Sequence, residues 1–136
     1  MTYYAVIDTN VLVSALLSSH ENAATVQVVS RLFSGDVFPV FSDDILAEFN
    51  VVLRIKKFNF SEDVVRTLLD TITSIGESIT PSPSGEDLPD LKDLPFYEVV
   101  LEKEADNAYL ITGNIKHFPD KPNIVTAREF LTILEA

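Results

Sequence analysis

Four residues that carry oxygen donors, Asp8, Glu48, Asp93 and Asn114, fall at related points of an alternating pattern. Asp8 lies in Val6-Ile7-Asp8-Thr9-Asn10-Val11-Leu12, directly after a short apolar run. Glu48 stands one turn into a helical stretch that opens at Ser42-Asp43. Asp90 and Asp93 belong to Pro89-Asp90-Leu91-Lys92-Asp93-Leu94-Pro95-Phe96, ahead of another helix. Thr112 and Asn114 follow the apolar run Tyr109-Leu110-Ile111. Carboxylate and amide oxygens are hard donors, and they select hard cations such as Mg²⁺ or Mn²⁺. Such an ion lowers the pKa of a bound water and stabilises the charge that develops when a phosphodiester is hydrolysed.

Each of these residues also has a plainer reading. Asp8-Thr9-Asn10 is good N-cap material. Glu48 lies at the border of an apolar stripe, where a glutamate is usually just solvated. Asp90 and Asp93 suit the positive end of the helix behind them. Gly113-Asn114 is ordinary turn chemistry. What favours a site is convergence: ligands in parallel α/β sheets bind outside the carboxyl ends of the strands. The topology expected here brings three carboxylates and one amide to that one edge.

That topology follows from the regular elements. Tyr3 to Ile7, Val37 to Phe41, Tyr109 to Ile111 and Ile124-Val125 read as buried strands, with Ser78-Ile79 a short fifth. Helices are expected at Val11–Leu17, at Asn22–Phe33 with Ala23, Val26, Val29 and Phe33 at helical spacing, and from Ser42-Asp43 with Ile45, Leu46, Phe49, Val52 and Leu53 apolar. Gly35 suits the position after a helix. Ser61 caps the next helix, whose stripe is Val64, Val65, Leu68, Leu69, Ile72 and Ile75. Pro95 fits the first turn of a helix running to about Glu104, and Thr126 with Glu129 has capping-box spacing. The Pro-, Ser- and acid-rich stretch from Thr80 to Asp90 is a loop. Strands alternating with helices predict an α/β fold: a three-layer sandwich around a mostly parallel sheet of about five strands. The 136 residues suit a single domain spanning 1–136.

Composition excludes other chemistries. With no cysteine and only His20 and His117, a zinc site of nitrogen and sulfur ligands is not expected. Two histidines and no nucleophile elbow leave no Ser-His-Asp set, and four unclustered glycines make no phosphate loop. No apolar run reaches the roughly 20 residues of a membrane span, and Met1-Thr2-Tyr3-Tyr4 has no basic n-region, so it is not expected to be a signal peptide. These features fit a reducing cytoplasm. The net charge of −11 argues against a general nucleic-acid coat protein. It does not argue against a nuclease, because a carboxylate cluster is negative until its cation binds.

The order and spacing of these segments resemble the PIN domain family. Val6-Ile7-Asp8-Thr9-Asn10-Val11-Leu12-Val13 resembles its first motif. Ser42 to Phe49 resembles the helix that bears its second acid, and Asp90 to Phe96 its third-acid region. Tyr109-Leu110-Ile111-Thr112-Gly113-Asn114-Ile115-Lys116-His117-Phe118-Pro119 is similar to its last motif, especially in a bacterial branch of VapC-like ribonucleases described as toxins of toxin-antitoxin systems. The resemblance spans nearly the whole chain. It implies Mg²⁺- or Mn²⁺-dependent cleavage of single-stranded RNA, with Asp8 and Asp93 as metal ligands and Glu48 completing the catalytic acids. Asn114 stands where many members carry a fourth acid, which leaves a second metal in doubt; Asp106 is the nearest substitute. Asn10, Asp90 and Thr112 support the site. Arg54, Lys56, Lys57 and Lys116 are candidates for RNA phosphate contacts, though surface charge explains them as well. The family also implies a cognate antitoxin that blocks the acidic cleft, and commonly a homodimer. The competing readings are a PIN-like binding or assembly module with a degraded site, and a small-ligand domain of flavodoxin-like architecture. The latter leaves the acidic set unexplained.

Overall fold

The computed structural model describes residues 2–136. Its central sheet begins with β1 (Tyr3–Ile7), in which Ala5, Val6 and Ile7 are all buried. Successive strand residues point to opposite faces, so three buried neighbours in a row mean that both faces of the sheet are covered. The chain then forms α1 (Thr9–Leu17), α2 (Ala24–Ser34), β2 (Val37–Phe41), α3 (Asp43–Val52), α4 (Glu62–Ile75), β3 (Glu77–Ser78), α5 (Leu94–Lys103), β4 (Ala108–Ile111), β5 (Ile124–Val125) and α6 (Ala127–Glu135). The strands pair in the order β3-β2-β1-β4-β5, all parallel. This is the expected α/β/α arrangement around a parallel sheet.

The order places β1 at the centre. The chain leaves β1 toward β2 on one side and later returns to pair β4 on the other, so the carboxyl ends of β1 and β4 flank a topological switch point. Ile7 of β1 pairs with Ile111 of β4 at that edge. The segments immediately beyond these two residues contain Asp8 and Thr112.

Local signals set several helix boundaries. The Ser42 side chain accepts the Ile45 N–H, the Ser61 side chain accepts the Val64 N–H, and Thr126 with Glu129 forms a complete capping box. Gly35 ends α2 at φ 84°, a left-handed conformation that costs a glycine least. Three expectations need correction. Helix α1 begins at Thr9, two residues earlier than Val11. The buried positions of α2 are Val28 and Leu32, whereas Phe33 is 52% exposed. Adjacent apolar pairs, Val28-Val29 and Leu32-Phe33, make the two phases of that stripe look alike. Val64 at the edge of the α4 stripe is likewise exposed, leaving Val65, Leu68, Leu69 and Ile72 as its buried face.

The loop from Thr80 to Asp90 is fixed onto α5. Glu102 accepts the Ser82 N–H at 3.0 Å, Glu98 accepts the Ser84 N–H at 2.7 Å, and Leu88 is buried. These bonds hold the approach to Asp90 and Asp93. Among the described residues, no helix is long and apolar enough to cross a membrane.

Candidate active site

Asp8 occupies the residue before α1, yet its side chain makes no capping hydrogen bond. Instead its Oδ2 accepts the Thr112 hydroxyl at 2.7 Å and the Asn10 amide at 3.3 Å. Asn10 also reaches across the switch point, where its Oδ1 accepts the Gly113 N–H at 3.2 Å. Thr112 is fully buried, and its own hydroxyl oxygen accepts the Asn114 N–H at 2.9 Å. The carboxyl edges of β1 and β4 are thus laced together by side chains, and the lacing fixes the Asp8 carboxylate.

That carboxylate is buried and has no Lys, Arg or His partner among the described residues. Burial pushes its pKa from the ordinary 3.8 up to about 6. The Thr112 hydrogen bond pulls it back down, while the negative charges of Asp93 and Glu48 push it further up. Asp93 and Glu48 thus lie near enough for their charges to act on Asp8.

Glu48 is half-buried on α3 and accepts a hydrogen bond from the buried Thr9 hydroxyl. Asp93 also makes no capping bond; its Oδ2 lies 3.0 Å from His117 Nδ1. Burial raises its pKa, the hydrogen bond from His117 opposes that rise, and the Asp90 charge adds to it. Asp90 does cap: its Oδ1 accepts the Lys92 N–H at 3.0 Å in the short turn Leu91–Asp93 that leads into α5.

Asp8, Thr9, Asn10, Glu48, Asp90 and Asp93 line one cavity of about 670 Å³. This volume lies within the usual range for ligand sites. Its lining also includes apolar Val13, Leu17, Val52 and Phe58, and Lys92 brings a cation to it. Sequence reasoning missed three features of the site. Val52 reads as core from its place in the α3 stripe. Phe58 gives no signal of its own. His117 reads with Lys116 as surface charge near a phosphate, and only the fold shows it beside Asp93, 24 residues away.

Not every candidate reaches the cavity. Asn114 lines a separate recess with Gly113, Ile115, Lys116 and His117. Asp106 precedes β4 and therefore lies at the opposite edge of the sheet, paired with Lys103 at 3.3 Å. It is no substitute for a fourth acid. The Arg54 guanidinium is held by Glu62 at 2.8 and 3.0 Å and by the Asn50 side chain at 2.7 Å. Lys56, Lys57 and Lys116 are exposed and have no carboxylate partner among the described residues.

The donor set suits a hard divalent cation: carboxylate, hydroxyl and amide oxygens, with no sulfur. No three His, Cys, Asp or Glu residues among the described ones form a ready-made ion cage. An ion of the Mg²⁺ class does not require one, because it keeps several waters and takes only one or two carboxylates directly.

No curated protein and no solved structure matches the chain. Residues 4–116 match the family model of the PIN domain, a span that runs from β1 through the turn after β4 and takes in every residue of the cavity. The chain belongs to the PIN domain family, whose members are generally metal-dependent nucleases.

Proposed function

We propose that this chain, acting as one domain, is a metal-dependent endoribonuclease that hydrolyses phosphodiester bonds of single-stranded RNA in the acidic cavity. The observation that carries the reading is Asp8. It is a buried carboxylate, fixed by two neutral donors, raised to a pKa of about 6 and surrounded by further acids. A neutral side chain could make the same bonds to Thr112 and Asn10, whereas the buried negative charge itself costs folding stability. A cation bound at the cavity is the partner it lacks.

Asp8 and Asp93 would hold Mg²⁺ or Mn²⁺, with Glu48 completing the acidic set. When bound, the ion supplies an activated water and neutralises charge on the phosphate. The protein's own contribution is orientation. Thr112 and Asn10 hold Asp8 at one oxygen, Thr9 holds Glu48, and His117 holds Asp93. Lys92, on the cavity wall, offers a positive charge to an incoming phosphate. The preference for RNA, a toxin role in the cytoplasm, an antitoxin partner and a homodimer rest on the motif resemblance.

A second reading, a PIN-like binding module without catalysis, draws on two observations: the acids among the described residues form no closed cage, and Asn114 stands in a separate recess. Incubation with single-stranded RNA and Mn²⁺ or Mg²⁺, beside an EDTA control and an Asp8→Asn variant, separates the two. Cleavage that disappears in both controls supports the nuclease. Equal cleavage by Asp8→Asn points to a wrong site, and no cleavage with any RNA or metal favours the binding module.

A further inference from the structure

Between α3 and α4 the chain makes a short exposed loop, with a 3₁₀ turn at Lys56–Phe58 followed by Asn59 in the left-handed conformation at φ 54°. The loop is closed at its base by the two-pronged contact of Arg54 with Glu62. Two of its aromatic side chains stack on each other. The rings of Phe58 and Phe60 lie 5.4 Å apart and within 13° of parallel. Phe60 packs against the hydrophobic core, whereas Phe58 lines the acidic cavity. The Lys57 ammonium lies over the Phe58 ring, 5.3 Å from its centre, and Lys56 is also exposed.

A phenylalanine that lines an acid-bearing cavity, and is not packed into the core, is poorly explained by core packing. In a chain of net charge −11, two adjacent lysines beside it that have no carboxylate partner among the described residues are also unusual. Nucleic acids present flat π-faces and phosphates alternately, and single strands are bound by aromatic platforms combined with basic groups. We propose that Phe58, backed by Phe60, is the stacking platform for an unpaired nucleobase next to the scissile phosphate, and that Lys56 and Lys57 take the neighbouring phosphate. The inference rests on the nuclease reading and deepens it. The base must leave a duplex to reach Phe58, so this subsite selects single strands. Stacking tolerates any base, so it imposes little sequence preference.

The chain contains no tryptophan, so Phe58→Trp introduces a single reporter at the platform. In an Asp8→Asn background, where cleavage is removed, short oligoadenylate RNA should quench that fluorescence, while inorganic polyphosphate of matched charge should not. In the cleaving protein, Phe58→Leu keeps apolar bulk but removes the π-face. It should lower kcat/KM on single-stranded RNA about 5- to 150-fold, mainly through KM, and Phe58→Trp should recover what Phe58→Leu loses. Wild-type cleavage with an equally active Phe58→Leu, or tryptophan emission that RNA leaves unmoved, overturns the platform and leaves the nuclease standing. Absence of wild-type RNA cleavage and binding overturns both. Should Phe58→Leu fail to fold, the quenching decides.

Discussion

Asp8 at the floor of the cavity and Lys57 beside its rim are both charges that a nucleic acid would meet, but the fold holds them in opposite ways. Asp8 is 5% exposed, comes from the residue after the central strand and is fixed by hydrogen bonds to side chains of two different segments. Lys57 is exposed, lies in a loop and rests near an aromatic ring. Burial makes the floor's charge expensive to the fold, whereas the rim's charge remains solvated at little cost. Removing the floor's charge should therefore move activity and stability in opposite directions. Substitutions at the rim should move binding alone, and in a salt-dependent way.

The largest expected effect tests the first half of that contrast. Asp8→Asn should reduce cleavage by about 100-fold or more, since several kcal/mol of metal-dependent stabilisation depends on this carboxylate. The same substitution should stabilise the metal-free protein at neutral pH. The folded-state pKa of about 6 lies above the ordinary 3.8. The folded state therefore binds this proton more tightly, and Asp8 contributes most to stability below pH 3.8, an advantage lost as pH rises through about 6. Each tenfold change in proton affinity is worth about 1.4 kcal/mol, so a rise of this size costs the metal-free fold about 3 kcal/mol at neutral pH. Thermal unfolding in EDTA should show Asp8→Asn ahead of wild type near pH 8, with the two converging toward pH 4. Added Mg²⁺ should raise the wild type and leave the variant unchanged. A variant less stable than wild type at pH 8 in EDTA would contradict the assignment of Asp8 as an uncompensated buried charge.

Thr112→Val should come next. It removes the 2.7 Å bond to Asp8, together with the acceptor of the Asn114 N–H, and nearly preserves side-chain volume. Hydrogen bonds to charged groups contribute about 1.5–3 kcal/mol, so cleavage should fall about 10- to 100-fold. The Thr112 hydroxyl holds the Asp8 pKa down, so its loss pushes that pKa above about 6. The acid side of the pH–rate profile should move to higher pH. An unmoved profile with an intact fold would show that Thr112 does not govern the carboxylate.

The same contrast explains which features are legible in the sequence. Capping at Ser42, at Ser61 and between Thr126 and Glu129 acts over three residues, so spacing alone reveals it. The phase of α2 is not legible, because Val28-Val29 and Leu32-Phe33 offer two equivalent stripes. On the floor, a parallel sheet directs attention to residues after strands, and that rule reaches Asp8 and Thr112 although 104 residues separate them. The rule says nothing about side-chain direction. Capping therefore stays open for Asp8 and Asp93 until their bonds to Thr112 and His117 are seen. The rim follows no strand-end rule at all: Phe58 reads as an ordinary loop residue until Phe60 is found stacked behind it.

At the rim, Lys56→Ala with Lys57→Ala should weaken RNA binding several-fold at low salt. It should also flatten the dependence of log K on log salt by about 0.7 for each phosphate contact removed. The effect should fade toward high salt, and thermal unfolding should barely change. A loss of affinity that is independent of salt would place these lysines in structural rather than electrostatic roles.

The smallest effect is expected at Asn114, where floor and rim come closest to being confused. The motif pattern puts a fourth acid at this position, but the Asn114 side chain belongs to the recess formed with Gly113, Ile115, Lys116 and His117. What Asn114 gives the site is its backbone N–H, donated to the Thr112 hydroxyl oxygen at 2.9 Å, and any residue except proline supplies that bond. Asn114→Ala should therefore change cleavage and the Mg²⁺ affinity read by isothermal titration by no more than about twofold, well under 1 kcal/mol. Asn114→Asp should not tighten the ion either, because a charge in a neighbouring recess acts across solvent and is screened. A tenfold weakening in Asn114→Ala would mean that the amide reaches the ion directly. The cavity would then be only part of the metal site, and the division between a buried acidic floor and a solvated rim would have to be redrawn to include the turn after β4.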